Sequence, residues 1–128
     1  MYLGEKEDPL EWQLNIISAI YDISNIEEQK LLWSGMNPEF VSSFTEVMAR
    51  LMDDLDFDRF LNYYKSINGE NNFYFRMNVL YYLIRLYQPI GYSLELKTNG
   101  YQLILDDPRW LEISKKALEI IIDIHKKV

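Results

Sequence analysis

The sequence predicts a mainly α-helical fold, a compact bundle of about six helices with one β-hairpin, over about residues 92–105, before the last helix. Two patterns predict the helices. Apolar residues recur every three or four positions through most of the chain, and Asp-Pro or Asn-Pro pairs stand where several helices would begin. The third observation is a change to strict alternation on either side of Asn99-Gly100. The 128 residues suit one domain over residues 1–128, because domains most often contain roughly 100–150 residues.

The first two helices are predicted from their starting residues. Asp8 and Pro9 form an N-cap followed by a proline at the first helical position. The apolar stripe of the first helix consists of Leu10, Leu14, Ile17 and Tyr21, widened by Trp12, Ile16 and Ile20. Ser24 and Glu27 fit a capping box for a short second helix. Gly35 is expected to end that helix, because glycine adopts the left-handed conformation without steric cost.

Two further helices follow. Asn37-Pro38 repeats the cap-and-proline pattern and is expected to begin the third helix. The apolar residues of this helix recur with the helical period at Phe40, Phe44, Val47, Met48, Leu51 and Met52. Asp56 is a suitable N-cap for a fourth helix, which Asn68-Gly69 is expected to end.

The fifth helix is expected over about residues 72–87. Apolar residues cover nearly its whole circumference, which is typical of a helix at the centre of a bundle. Pro89 and Gly91 are expected to end it, because proline inside a helix removes a backbone hydrogen bond and clashes with the preceding turn.

The hydrophobic pattern changes its period after the fifth helix. Apolar and polar residues alternate over residues 92–96 and again over residues 101–105. Asn99-Gly100 lies between these segments and is the strongest two-residue signal for a hairpin turn, because both residues tolerate positive φ. Asp107-Pro108 then begins the last helix with the same pattern of cap and proline.

Acidic residues are concentrated in the first half of the chain. The net charge is −7, with 20 acidic and 13 basic residues. Residues 1–60 contain 13 acids and 4 bases, whereas residues 61–128 contain 7 acids and 9 bases. An acidic half repels nucleic acid and anionic lipid and attracts cationic partners, so we expect neither a nucleic-acid nor a membrane partner. The alternative interpretation is that the charge serves solubility alone.

A run of aspartates near the middle of the chain is the densest charge feature. Asp54, Asp56 and Asp58 match the first three ligand positions of an EF-hand loop. Arg59, however, occupies the position of the required glycine, and Lys65 occupies that of the bidentate glutamate. We therefore expect no metal site here.

The same aspartates divide into two groups by their place relative to the predicted helices. Asp56 suits an N-cap and Asp58 suits the first helical turn, where the macrodipole favours anions. Asp53 and Asp54 lie at the carboxyl end of the preceding helix, where the macrodipole disfavours them. Acids that oppose the dipole are candidates for binding a partner.

The residue types argue against catalysis. The chain has no cysteine, which excludes disulfides, thiolate zinc sites and a cysteine nucleophile. Its one histidine, His125, is predicted in the last turn of the last helix, a place that the macrodipole favours. No glycine-rich phosphate loop occurs. We expect no enzyme activity and no cofactor. We also expect a cytoplasmic location, since no signal-peptide pattern or spanning segment is present.

The candidate partner surface combines acids of the first half with one tyrosine. Tyr63 should be exposed if its neighbour Tyr64 is buried, because adjacent helical positions point about 100° apart. Exposed tyrosine near acids is typical of a protein-binding surface. The predicted surface consists of Glu27, Glu28, Glu39, Glu46, Asp53, Asp54, Asp58 and Tyr63.

The chain resembles the helical immunity proteins of bacterial toxin–immunity systems, including those of contact-dependent growth inhibition loci. Three features carry the resemblance: the acidic first half, the aspartate run over residues 53–58 and the interleaved tyrosines. The resemblance covers the whole chain as a type, and no signature motif carries it. It implies a non-catalytic protein that binds and neutralises a cognate toxin protein, of basic, nuclease type. Two alternatives stay open: an adaptor or regulatory domain that binds another basic protein or peptide, and an enzyme with an unrecognised carboxylate site.

Overall fold

The computed structural model describes residues 8–36, 39 and 42–126. Within these ranges the chain forms seven α-helices and one π-helix, with no strand. The α-helices are α1 (Pro9–Ser24), α2 (Ile26–Trp33), α3 (Phe44–Met48), α4 (Phe57–Asn68), α5 (Asn72–Glu95), α6 (Gly100–Leu105) and α7 (Pro108–Lys126). The π-helix, Ala49–Asp54, continues α3 directly. The predicted mainly helical bundle is confirmed. None of the helices in this part of the chain has both the length and the hydropathy needed to cross a membrane.

An aromatic cluster around Trp110 forms the centre of the bundle. Trp110 lies in the first turn of α7, and its side chain is fully buried. Its ring centroid lies 5.4 Å from Phe44, 5.9 Å from Trp33 and 5.7 Å from Tyr87. These partners come from α3, α2 and α5, so one side chain joins four helices. Large aromatic rings packed edge-to-face or offset bury much apolar area and add about 0.5–1.5 kcal/mol per pair.

One buried amide completes this cluster on its polar side. The Trp110 indole Nε1 donates a hydrogen bond of 2.9 Å to Oε1 of Gln29. Nε2 of Gln29 donates to the carbonyl oxygens of Asp22 and Ile23, at 2.8 and 2.9 Å. These carbonyls belong to the last turn of α1, where intrahelical donors are missing. Gln29 therefore joins α1, α2 and α7 with all its hydrogen-bonding groups engaged.

A second buried polar group links α5 to the start of α7. The Tyr87 hydroxyl donates a hydrogen bond of 2.9 Å to Oδ2 of Asp107, whose side chain is 7% exposed. Arg109 donates to the same carboxylate from Nε at 3.0 Å and from an Nη at 2.8 Å. The hydrogen bonds from Arg109 lower the pKa of Asp107. Burial, with a smaller effect of Asp107, raises the pKa of Tyr87.

The predicted helix starts are confirmed at four places, one of which is α5, which begins at Asn72 as expected. Asp8 accepts a hydrogen bond of 2.9 Å from the Glu11 N–H at the start of α1. Asp56 caps α4, and Asp107 accepts from the Arg109 N–H at the start of α7. The capping box at Ser24 is wrong by one residue: Ser24 ends α1, and Asn25 caps α2 by accepting from the Glu28 N–H at 3.1 Å.

The start of the third helix differs from the prediction. Asn37, Pro38 and Phe40 lie outside the described residues. Helix α3 begins at Phe44, with Ser43 as its N-cap. The hydroxyl of Ser43 accepts a hydrogen bond of 3.0 Å from the Glu46 N–H.

The apolar stripe of α1 is only partly in the core. Trp12, Ile16 and Ile20 are buried, together with Ala19 and Ile23. Leu10, Leu14 and Tyr21, by contrast, are exposed. The two sets lie on opposite sides of one helix, and periodicity alone does not decide which side faces the bundle.

The predicted end of the fifth helix is wrong. Helix α5 continues to Glu95, with Pro89 and Gly91 inside it. The Pro89 side chain faces solvent, and the turns beyond it pack on the core through Gly91 and Tyr92. The Tyr92 ring lies 5.4 Å from Phe44. Packing of the following turns thus outweighs the cost of about 3 kcal/mol that proline imposes on a helix.

The predicted β-hairpin over residues 92–105 is also wrong. Residues 92–95 form the end of α5, and residues 100–105 form α6. Asn99 does adopt positive φ, at 54°, but as the residue preceding α6 rather than as a hairpin turn. Gly100 packs directly against the carbonyl oxygens of Leu94 and Glu95, where a Cβ atom would overlap them. Short alternating segments were insufficient to distinguish strands from helix ends.

Gly91 provides a test of the contact that keeps α5 continuous. A Cβ atom at Gly91 would overlap the ring of Phe44. We expect Gly91→Ala to destabilise the fold by about 1–3 kcal/mol through overpacking, although alanine is the better helix former by about 1 kcal/mol. Urea denaturation measures this loss. The exposed Ser93→Ala in the same helix should be neutral or stabilising, and a stabilised Gly91→Ala variant would contradict the contact.

The Tyr87–Asp107–Arg109 network predicts a dependence of stability on pH. Because the pKa of Asp107 is lowered in the folded state, its contribution is present above the unfolded-state pKa of about 3.9 and is lost as the pH falls through the folded-state pKa. We expect Asp107→Asn to destabilise by about 1–3 kcal/mol at pH 7 and by less at pH 3. Urea denaturation at both pH values measures the difference. The exposed Asp106→Asn is the control, and an equal loss at both pH values would contradict the lowered pKa.

Candidate protein-binding surface

Two adjoining depressions form a groove between α1, α2, α3 and the π-helix. Their volumes are about 240 and 530 Å³, and they share Asp22, Ser42 and Val47. Four carboxylates line the combined groove, those of Asp22, Glu28, Glu46 and Asp54. We call this feature the acidic groove. Its apolar floor consists of Leu32, Trp33 and Val47.

One cation lies within the acidic groove and is already neutralised. Nη1 of Arg50 lies 2.8 Å from Oδ2 of Asp22, and Nη2 donates to the Ser18 hydroxyl at 3.2 Å. Within the described ranges, Glu28, Glu46 and Asp54 form no ion pair. The lining therefore carries three uncompensated negative charges, which would attract a cationic group.

The π-helix contributes Arg50 and Asp54 to the acidic groove. The Leu55 N–H donates to the Arg50 carbonyl at 2.9 Å, across the five-residue spacing of a π-turn. The Trp12 indole donates to the Leu55 carbonyl at 2.7 Å, which attaches the end of the π-helix to α1. A π-helix is rare and occurs frequently at functional sites. This backbone feature coincides with the acidic groove.

The structure brings together three of the eight predicted surface residues. Glu28, Glu46 and Asp54 line the acidic groove. Glu27 is exposed on α2 and does not line the groove; it pairs with Lys30 at 3.3 Å. Asp53 is exposed on the π-helix but does not line the groove.

Two further predicted residues, Asp58 and Tyr63, are not part of the lining of the acidic groove, and Glu39 is exposed. Asp58 is exposed in the first turn of α4, and its charge, after the larger effect of burial, raises the pKa of Tyr81 on α5. Tyr63 is half-buried rather than exposed, because its ring packs 5.6 Å from that of Trp12. The predicted surface is therefore not one continuous patch.

Sequence reasoning missed Asp22 and Arg50. Asp22 lies four residues after Ser18, so both side chains share one side of α1. That spacing marks a polar side of the helix, but nothing in it shows that Arg50 would lie opposite. The ion pair joins positions 28 residues apart in sequence.

The described residues contain no group of three or more histidine, cysteine, aspartate or glutamate side chains arranged to hold a metal ion. The arrangement in the groove is suited to electrostatic attraction of a cationic surface. Comparisons of the chain with models of known protein families, with curated protein sequences and with solved structures found no match.

Arg50→Ala tests whether the ion pair in the acidic groove contributes to the stability of the fold. The ion pair with Asp22 is about 40% exposed on both sides, and exposed pairs contribute about 0–1 kcal/mol. We expect the free energy of unfolding to fall by less than about 1 kcal/mol, as measured by urea denaturation. Lys30→Ala, which breaks the pair with Glu27, is the matched control. A much larger loss for Arg50→Ala would show that the pair holds the helices together.

Proposed function

We propose that this chain is a non-catalytic immunity protein that binds a basic, nuclease-type toxin domain and neutralises it. The observation that carries the proposal is the acidic groove, which carboxylates from α2, α3 and the π-helix line without forming an ion pair among the described residues. Acids that served solubility alone would not need to line one groove. The proposal that the partner is a toxin comes from the resemblance to helical immunity proteins.

Inhibition follows from the chemistry of a nuclease. An enzyme that binds nucleic acid presents a basic cleft to the phosphates. The carboxylates of Glu28, Glu46 and Asp54 would occupy the places of phosphates in that cleft or at its edge. Opposite fields speed association, to on the order of 10⁸ M⁻¹s⁻¹ in steered complexes.

The floor of the acidic groove supports binding of a protein rather than of a simple ion. Leu32, Trp33 and Val47 provide apolar contact beneath the acidic rim. An apolar centre surrounded by polar residues is the usual arrangement in protein–protein interfaces. The charges would then set the association rate, and the buried floor would slow dissociation.

Charge reversal in the groove tests the proposal. The chain, tagged and purified from its native host at low salt, should retain a basic protein whose nuclease activity it inhibits at one-to-one stoichiometry. We expect Glu46→Lys combined with Asp54→Lys to weaken binding by at least about 100-fold and to reduce its salt dependence, because two of the three uncompensated charges are reversed. Isothermal titration calorimetry with the retained protein measures the affinity.

The control variant reverses two acids outside the acidic groove. Glu70→Lys combined with Asp106→Lys makes the same change in net charge on exposed residues. It should retain nearly the wild-type affinity, and thermal unfolding should show that both variants remain folded. Equal weakening by both variants would assign the effect to net charge alone. A retained partner without inhibited nuclease activity would favour an adaptor and contradict the immunity role.

A further inference from the structure

Helix α5 has a row of apolar side chains that the bundle does not cover. Phe75, Val79, Tyr82 and Leu86 are 51, 48, 60 and 72% exposed. Their spacing of four, three and four residues places them on one side of the helix. We call these four residues the α5 stripe. A helix that is apolar all round is expected to be covered on every side at the centre of a bundle. Helix α5 is not, because the side that carries the α5 stripe is exposed.

The α5 stripe borders the seam between α5 and α7, and each end of this seam holds a depression. One, of about 190 Å³, is lined by Phe75, Val79 and Lys116. The other, of about 400 Å³, is lined by Leu86, Ile90 and Pro108, and also by the charged residues Arg109 and Glu112 of α7. The lining shows that α7 runs antiparallel to α5. The two depressions lie about 16 Å apart along the helix, at 1.5 Å per residue.

Positive charge flanks the α5 stripe, although the chain as a whole is acidic. Arg76 follows Phe75 and Arg85 precedes Leu86, so the helical spacing places the two guanidinium groups on opposite flanks. Neither arginine forms an ion pair with a carboxylate in the described part of the chain. Lys116, across the seam, is 4.0 Å from Glu119.

We propose that the α5 stripe and its seam with α7 bind an amphipathic helix of a protein partner that carries carboxylates beside its apolar face. Apolar side chains of the partner occupy the two depressions, and its carboxylates pair with Arg76 and Arg85. Aromatic residues and arginine are enriched at interface hot spots, and this surface presents both.

The spacing of the α5 stripe favours a helix over an extended segment. Apolar contacts at intervals of three and four residues match the face of a partner helix that lies along a groove. The flanking arginines determine the charge of that helix, since an unpaired guanidinium is best matched by a carboxylate. A symmetric pairing of two α5 stripes is disfavoured because it would bring the arginines of both copies to the same contact. This proposal does not depend on the proposed immunity role.

Two synthetic peptides of about 16 residues test the proposal. Both have leucine or phenylalanine at the spacing of the α5 stripe. One carries glutamates beside the apolar face, and the other carries lysines at the same positions. We expect the full chain to bind the glutamate peptide at least about tenfold more tightly, as measured by fluorescence anisotropy. Backbone amide NMR shifts should map the contact to α5 and α7.

Variants of this surface assign the contacts. Leu86→Ser should weaken binding of the glutamate peptide by about tenfold or more, because it removes an exposed apolar contact. Arg76→Glu combined with Arg85→Glu should reverse the preference toward the lysine peptide. Leu14→Ser changes a comparably exposed leucine on α1 and should leave binding unchanged. Thermal unfolding shows that each variant is folded.

Several outcomes would overturn the proposal. Failure of the glutamate peptide to bind at millimolar concentration is one, and equal affinity for both peptides is another. Sedimentation equilibrium that shows a dimer of the chain, converted to a monomer by Leu86→Ser, would assign the surface to a second copy. Binding to phosphatidylglycerol vesicles that Leu86→Ser abolishes would assign it to lipid. The groove variants and the peptide experiments test different surfaces, so a failure of the proposed immunity role would not change the expected binding of the peptides to the α5 stripe.

Discussion

The hydrogen bond from the Trp110 indole to Gln29 joins the apolar centre of this protein to its backbone. The Trp110 ring contacts three aromatic side chains from other helices, and Gln29 bonds the last carbonyls of α1. An unpaired amide or indole N–H would be costly at these buried positions. These hydrogen bonds therefore favour the observed positions of α1, α2 and α7.

The acidic groove depends on the same contacts. Gln29 bonds the main-chain carbonyl of Asp22, and the Asp22 carboxylate pairs with Arg50 across the groove. The Trp12 indole attaches the other end of the π-helix through the Leu55 carbonyl. Buried donors thus position the backbone on both sides of a solvent-exposed feature. A surface held in this way is preorganised, which would lower the entropy cost of binding the proposed partner.

The chain presents two surfaces of opposite chemistry. The acidic groove draws its charges from the first half of the sequence, and the α5 stripe lies in the slightly basic second half. Most of the helix starts followed from the sequence because N-caps and prolines act within one turn. The extent of α5 did not, because the Phe44 ring that packs on Gly91 comes from a distant helix. The same applies to Tyr63, which is withdrawn from the surface by Trp12.

The sequence by itself determined the helical class, most of the helix starts and the acidic character of the first half. Each of these depends on residues within a few positions of one another, so local spacing and composition contain the information. The tertiary structure decided which side of α1 is buried, that α5 passes through Pro89, and which acids share a groove. These outcomes depend on side chains that meet only after folding, as Asp22 and Arg50 do. The alternation before and after Asn99-Gly100 illustrates the limit, because packing against the end of α5 made a helix from a segment whose local pattern predicted a strand.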